Sequence, residues 1–577
     1  MESCRGCEKS RRSWIRRCLT VVESFSVILT AMLMLVVVKS LFWNRGCEVK
    51  SSSRRILTDK SMKILESICN VTLYSDQCYA TLLSVDSTDP RVLFRASLVT
   101  AVEEHVKILG FSSKLVSSDE SVISCLKVCD EMIVDSLEYL KETIERFDEF
   151  GKVITETEID EIRGKLSFAI TDHETCLEGF DEIMELDYSS YQRNIELIKN
   201  LRDSVKKGRE LVSNSLAIVT KILGGLTKQD DNKSLLGLLE TESGFPDWFG
   251  YEDRKSLLTC DLTPNVTVAK DGTGKYRTIS EAVASVPEKS SSRFVIHVKE
   301  GYYVENVNVT KNKYNVVMYG DGITKTVVSG SLNRIDKPYI NTFQTATLSV
   351  SGKRFVGRDM KFVNIAGPEK KQAVAFHSKS SQSVMYRCAF EGHQDTLYSH
   401  AGEQLYRDCD IVGSVDFICG HAAAVFQNCT IRPRKPLPNQ VNIVTAQSAE
   451  DPNAKSGFSI INSKIYPFEE GERLTATTYL GRPWKSYATV VVMKTLIEKL
   501  IDPKGWAPWN NMVNPPTTLT YGEYMNYGPG SGVANRVKWI GYKPKMTDEE
   551  AHKYTVDALI NKDGWLKQTC VPYNASL

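Results

Sequence analysis

Five segments of this chain repeat one pattern: a polar residue, a small or sulfur-bearing residue, any residue, then a large apolar one. They are Asp359-Met360-Lys361-Phe362, Arg387-Cys388-Ala389-Phe390, Asp408-Cys409-Asp410-Ile411, Asn428-Cys429-Thr430-Ile431 and Asn462-Ser463-Lys464-Ile465, which follow one another at steps of 28, 21, 20 and 34 residues. A repeat of this length is one coil of a solenoid, in which short steps are bare rungs and long steps carry loops that gather on one face. The pattern predicts an all-β right-handed parallel β-helix, in preference to a sandwich or a propeller. Two of the rungs also carry an aspartate seven positions beyond the cysteine, Asp395 and Asp416. Adjacent parallel strands lie roughly 4.8 Å apart, so the two carboxylates become neighbours. At such range one tends to stay protonated while the other stays charged, which prepares an acid and a nucleophile.

The rest of the 577-residue chain is long enough for further domains, and 42% hydrophobic with 25% charged residues is ordinary globular composition. The net charge of +1 hides an asymmetry. Residues 1–260 hold 34 Lys and Arg against 42 Asp and Glu, whereas 261–577 hold 38 against 29. The basic half implies an anionic partner: a polymer, a membrane surface or the acidic N-terminal part itself. Nothing in the pattern suggests nucleic acid.

At the N-terminus, Arg11, Arg12, Arg16 and Arg17 precede an uncharged apolar run from Ser24 to Val38. This reads as a cytosolic basic segment over 1–20 and a signal anchor, or a signal peptide, over 21–43. Everything beyond about residue 45 then enters the secretory lumen, where disulfides are permitted. Cys69 and Cys78 are near enough to staple a helical hairpin, Cys129 and Cys176 could join two long helices, and Cys125 has no obvious partner. Sequons at Asn70, Asn232, Asn265, Asn308 and Asn574 are glycosylation candidates. A sixth, Asn428, falls inside the repeat, where a buried ladder asparagine is expected instead.

Between residues 59 and 226 apolar residues recur at helical spacing, as in Ile133, Leu137, Leu140, Ile144 and in Ile198, Leu201, Val205, Val212. This stretch predicts an all-α four-helix bundle. Periodicity fails over 227–264, a linker whose Arg254-Lys255 step invites a processing protease. Short strands begin after it, including Phe294–Val298, Asn315–Tyr319, Thr326–Ser329, Thr347–Val350 and Ala424–Gln427, and Thr547–Ile560 reads as a C-terminal helix.

Around the aspartate pair lie Gln372 and Gln394, whose amides donate to an oxyanion without titrating, as acyl transfer requires. Tyr479-Leu480-Gly481-Arg482-Pro483-Trp484 adds a cation that would hold one aspartate ionised and an aromatic face for a sugar ring. Over 265–577 these segments, with Gly301-Tyr302-Tyr303-Val304-Glu305 and Arg536-Val537-Lys538-Trp539, resemble the plant pectinesterases. The helical part, through Ser167-Phe168-Ala169-Ile170-Thr171 and Thr175-Cys176-Leu177, resembles the pectinesterase-inhibitor domain that precedes the enzyme in many members.

The resemblance implies hydrolysis of the methyl esters of homogalacturonan without metal or organic cofactor. Asp416 would be the nucleophile and Asp395 the general acid, then base. Gln394 would hold the oxyanion with help from Gln372. Arg482 would orient Asp416, and Thr342 and Trp484 would line the sugar cleft. It also implies departures, since the family usually has Tyr at His393, Phe at Cys419 and Asn at His421. A histidine beside a carboxylate pair is expected to titrate near neutral pH. The rival reading is a β-helix glycoside hydrolase, because carboxyls about 5 Å apart suit a retaining glycosidase equally well. A serine esterase lacks its Gly-x-Ser-x-Gly elbow. The histidines His377, His393, His400 and His421 show no metal-ligand spacing.

Overall fold

The computed structural model describes residues 59–150, 154–225, 262–468, 476–510 and 515–577. The expected cytosolic segment and signal anchor, nearly all of the linker with its dibasic step, and Asn232 lie outside these residues. Among the described residues no helix is long and apolar enough to cross a membrane.

From residue 266 onward the chain forms three parallel sheets of 11, 7 and 8 strands. Over most of their length spatial neighbours lie three strands apart in sequence, so each coil gives one strand to each face. This is the parallel β-helix that the repeat predicts. The structure also explains the repeat itself. Asp359, Arg387, Asp408, Asn428 and Asn462 all have left-handed backbone, with φ between 50° and 56°. That conformation is cheapest for Asn and Asp among residues with a side chain, and here it turns the chain from one sheet into the next. The following residue then points inward: Met360, Cys388, Cys409, Cys429 and Ser463 are all buried.

Two residues further on, Phe362, Phe390, Ile411, Ile431 and Ile465 stack in strict register down the core. The Phe362 and Phe390 rings are stacked at 6.0 Å, and Phe376 closes on Phe390 at 5.1 Å. Phe390 has no exposure, so Phe390→Ala is expected to cost about 3–5 kcal/mol, read as a lower denaturation midpoint of the β-helix.

Cys388, Cys409 and Cys429 are buried free thiols that donate to carbonyls two residues back or one rung away. One expectation is corrected here. Asn428 is an exposed corner rather than a buried ladder residue, and its amide donates to Asp408 one rung below at 2.6 Å. A corner side chain leaves the core, whereas the next one enters it.

The N-terminal part is helical, with four long helices: Pro90–Ser112, Glu120–Glu149, Glu156–Leu186 and Ile195–Ala217. Ile133, Leu137, Leu140, Ile198, Leu201, Val205 and Val212 fill their interior. Thr155 and Glu158 start the third helix with a reciprocal capping box. Cys69–Cys78 and Cys129–Cys176 are disulfide-bonded, and Cys125 is a buried free thiol. At the C-terminus the single helix expected over Thr547–Ile560 is two, Asp548–His552 and Val556–Leu559. Thr555 intervenes, donating from both its N–H and its hydroxyl to the His552 carbonyl and closing the first helix. Ala551, Val556, Ile560 and Trp565 pack against the outer face of the large sheet.

The opposite charges of the two halves meet. Lys311 of the β-helix pairs with Asp135 and Glu138 of the bundle, Lys379 with Asp135 and Asp172, and Lys455 with Asp160. The acidic N-terminal part, one of the three anionic partners that the sequence left open, is in contact with the basic β-helix.

Candidate active site

The site is built on two neighbouring coils. Leu397 pairs with Ile418 and Tyr398 with Cys419 in a parallel ladder, which sets Asp395 and Asp416 at equivalent positions just before their strands. The Asp395 N–H donates to the Val415 carbonyl at 3.1 Å, tying the two loops together. Both aspartates are left-handed, with φ of 59° and 50°, a conformation that tips the side chain out of the ladder into the cleft. Strain of this kind persists where surrounding structure over-determines it.

Their environments differ. Arg482, on the strand Thr478–Pro483, forks onto Asp416, with Nε 2.8 Å from Oδ1 and Nη2 2.5 Å from Oδ2. Asp416 is 4% exposed, so the pair is bidentate and nearly dry, the arrangement that best fixes a carboxylate. Among the described residues Asp395 has no such hydrogen-bonded cation. Burial, then the neighbouring Asp416 and Glu182, hold its carboxyl well above the usual range despite Arg482. One carboxyl is thus anchored by a cation and the other kept protonated, the division that the 21-residue spacing predicts.

Gln372 and Gln394 lie side by side on adjacent coils through an isolated parallel bridge. The Gln372 Oε1 is buried without a hydrogen-bond partner. Below them a small apolar floor of Ala346, Val374, Tyr398, Cys419 and Ala446 supports Trp484. Trp484 stacks on Trp509 at 6.0 Å, and the Arg482 guanidinium lies over the Trp509 ring at 4.2 Å. Sequence reasoning missed Trp509. Its signal was the aromatic pair Trp506 and Trp509, which belongs to no repeat. Thr342 opens the short helix Thr342–Thr345, whose Phe343 packs against the same floor.

Of the three unusual residues Cys419 and His421 are buried and His393 is half-buried, and all three are uncharged. Burial, with Arg434 adding, pushes the His393 imidazole down to about 4. The expectation of a near-neutral titration is therefore corrected: His393 stays neutral across the physiological range, because its Nδ1 is buried without a hydrogen-bond partner and Glu369 and Glu391 offset burial and Arg434 only in part. The sign follows: folding opposes protonation, so this contribution to stability is full above about 6.5 and is lost as pH falls toward 4. His393→Tyr is expected to leave the pH–rate profile between 5 and 8 superimposable on wild type. Burial raises the Cys419 thiol, and the His421 Nδ1–H donates to the Ser448 carbonyl at 3.0 Å. His377 and His400 bond to each other at 2.8 Å.

The cleft is covered by the bundle helix Glu156–Leu186. Its Glu182 accepts from the Thr342 hydroxyl at 2.5 Å and lies 3.4 Å from the Arg334 guanidinium. One turn back, Glu178 pairs with Lys485 at 3.4 Å, and Glu174 does the same. Thr175 bonds His400 at 2.7 Å.

A parallel β-helix that gathers two carboxylates, two amides and a bidentate arginine beside an aromatic wall defines a carboxylic ester hydrolase. Residues 265–563 match the pectinesterase family model, and residues 63–218 match that of the plant invertase/pectin methylesterase inhibitors. The chain is 44% identical to Pectinesterase 3 of Phaseolus vulgaris over 522 residues, covering 89% of this chain and 87% of that protein. It is 38% identical over 579 residues to the probable pectinesterase/pectinesterase inhibitor 46 of Arabidopsis thaliana, covering 98% and 97%. The solved pectin methylesterase from carrot superposes with a TM-score of 0.53 at 44% identity, over 55% of this chain and 99% of that one. The chain belongs to the pectinesterase family, with an inhibitor-like helical domain ahead of the enzyme.

Proposed function

We propose that the chain removes methyl groups from the C6 esters of homogalacturonan, in the plant cell wall, by an aspartate-nucleophile mechanism. The observation that supports this reading best is the asymmetry of the pair: Arg482 forks onto Asp416 alone, and Asp395 is kept protonated. Asp416 attacks the ester carbonyl carbon. Gln394, with Gln372, donates to the tetrahedral oxyanion, the usual source of the largest electrostatic gain in acyl transfer. The intermediate collapses as Asp395 gives its proton to the departing methoxide, and methanol leaves. Asp395, now a carboxylate, takes a proton from water as that water attacks the acyl group on Asp416. The products are a free uronate, regenerated Asp416 and protonated Asp395. Trp484 and Thr342 would hold the flanking sugars.

The same reading makes the bundle an inhibitor in cis. With Glu182 on Thr342 and Glu178 on Lys485, the helix Glu156–Leu186 occupies the cleft that pectin needs. A processing protease acting in the linker would then free the enzyme, and the N-terminal segment would hold the unprocessed chain at a membrane. Asn70, Asn265, Asn308 and Asn574 are exposed and fit glycan attachment in the secretory route. The decisive assay is product identity: methanol released from pectin without new reducing ends. New reducing ends would favour the glycosidase instead.

A further inference from the structure

Arg482 reaches Asp416 from a strand that is backed on its inner side by two buried rings. Gly481 precedes the arginine, and a side chain there would press into Thr445 and stand 3.2 Å from the Trp506 ring. Without one, Gly481 bridges directly to Trp506, and its carbonyl accepts from the Ala507 N–H at 3.0 Å. Trp506 is 1% exposed and packs on Tyr521, which has no exposure, with ring centroids 4.3 Å apart. Each ring carries a buried polar atom that finds no hydrogen-bond partner among the described residues, the Trp506 Nε1–H and the Tyr521 hydroxyl. Burial raises the Tyr521 hydroxyl well above its ordinary value, and the charges that act on it are Asp416, in the same sense, and Arg482, in the opposite one. Three other buried tyrosines of the β-helix are paired: Tyr303 donates to the Lys299 carbonyl at 3.0 Å, Tyr406 to Gln404 at 2.6 Å and Tyr542 to Glu523 at 2.8 Å. Phenylalanine would fill the place of Tyr521 without leaving a hydroxyl unpaired, which is a costly state in a dry core. A buried polar group that stays unpaired calls for a reason, and beside a reacting pair that reason is a role in the reaction.

We infer that Tyr521 is a positioning residue for the second half of the reaction, its hydroxyl held free to donate to the Asp416 carboxylate as that group leaves the acyl-enzyme. The inference rests on the pectin reading above and adds a residue to it. In the acyl-enzyme one Asp416 oxygen is bonded to the uronate carbonyl carbon, so the fork from Arg482 loses one of its two carboxylate acceptors. Water attacks that carbon while giving a proton to Asp395. The bond from the carbon to the Asp416 oxygen then breaks, and its electron pair returns to Asp416 as carboxylate charge. A donor that is already desolvated and unpaired meets this charge without first breaking another hydrogen bond, which is the advantage of a preorganised dipole. Tyr521 acts through Asp416 and Arg482 and needs no contact with the sugar.

The test uses the β-helix alone, a unit that the carrot enzyme shows to stand by itself, since its solved chain is matched over 99% of its length by 55% of this one. Tyr521→Phe keeps the ring and removes only the hydroxyl. Methanol departs in the first half-reaction, so a slowed second half shows as a burst. Rapid-quench assays on methyl-esterified pectin are expected to give Tyr521→Phe a burst of about one methanol per enzyme, then a steady rate about tenfold below that of the unmutated β-helix. KM is expected to fall with kcat, leaving kcat/KM within about twofold, because the acylation step is untouched. The melting temperature is expected to rise by a few degrees, since an unpaired buried hydroxyl has gone. A role in packing alone predicts a lower melting temperature and a lower kcat/KM together. That result, or an unchanged kcat without a burst, would overturn the inference. Methanol release by the unmutated β-helix is recorded alongside. Its absence would strike the esterase reading, whereas a burst-free Tyr521→Phe at full rate strikes only this inference.

Discussion

Asp416→Asn is expected to abolish methanol release while the β-helix stays folded and still binds pectin. Loss of a nucleophile that acts as one unit with its acid removes on the order of 10⁴-fold or more in kcat. Asparagine keeps the shape and one hydrogen bond to Arg482, so binding is expected to move little. The check is a methanol assay beside circular dichroism and a pectin pull-down. Retention of more than a few per cent of the rate would remove Asp416 from the nucleophile's role. Asp395→Asn is also expected to be slow, for a different reason. It cannot protonate the leaving methoxide or later accept a proton from water, so both half-reactions suffer.

The second large effect is expected from removing the bundle. A tethered domain meets its site at an effective concentration of order 1 mM. If its intrinsic affinity is about 1 μM, only about one molecule in a thousand is open. Release of residues 59–225 is therefore expected to raise the rate on pectin by at least a hundredfold, measured before and after proteolysis in the linker. The latency is also expected to depend on pH. Burial, with the carboxylates Glu174 and Glu182, raises Glu178 to about 8 in the docked state despite Lys485. A free glutamate titrates near 4.3. Docking then carries a bound proton, is favoured at low pH, and loosens as pH rises through about 8. Buried imidazoles such as His400, which faces Thr175, work in the opposite sense. They do so only below about 6.5, whereas Asp172, raised by burial to about 7 at its contact with Lys379, loosens docking in the same sense as Glu178 up to about that pH. Full-chain activity, corrected for the pH response of the free enzyme, is expected to rise by at least about tenfold between pH 6.5 and 8.5. In Glu178→Gln the rise is expected to shrink severalfold, and an unchanged rise would exclude Glu178 as the main group responsible.

Much of the fold was legible because its signal is local and periodic. The corner residues Asp359, Arg387, Asp408, Asn428 and Asn462 each sit in left-handed backbone, and the apolar residue three positions on reaches the core stack in register. The four long helices announced themselves by spacing in the same way. Failures came where a short-range rule was applied to a residue whose surroundings are set at long range. His393 was expected to feel its aspartate neighbours, yet burial and Arg434 dominate it. Asn428 was assigned inward although the corner turns it outward. The break at Thr555 inside an amphipathic pattern depends on one hydroxyl competing for a helix carbonyl.

The sequence by itself determined the solenoid, the pairing of Asp395 with Asp416 and the bundle ahead of them, because a repeat of fixed step places equivalent residues one strand spacing apart. Repeat spacing does not say which aspartate receives Arg482, 66 residues away from Asp416, which only the family resemblance implied before the structure showed the contact, and only the tertiary structure decided which pocket receives Glu182, 160 residues before Thr342. Those choices depend on how loops of unequal length close over the coils and on where two oppositely charged domains meet. No periodicity records either, since partners at such separation are selected by geometry and desolvation rather than by neighbouring residues in the chain.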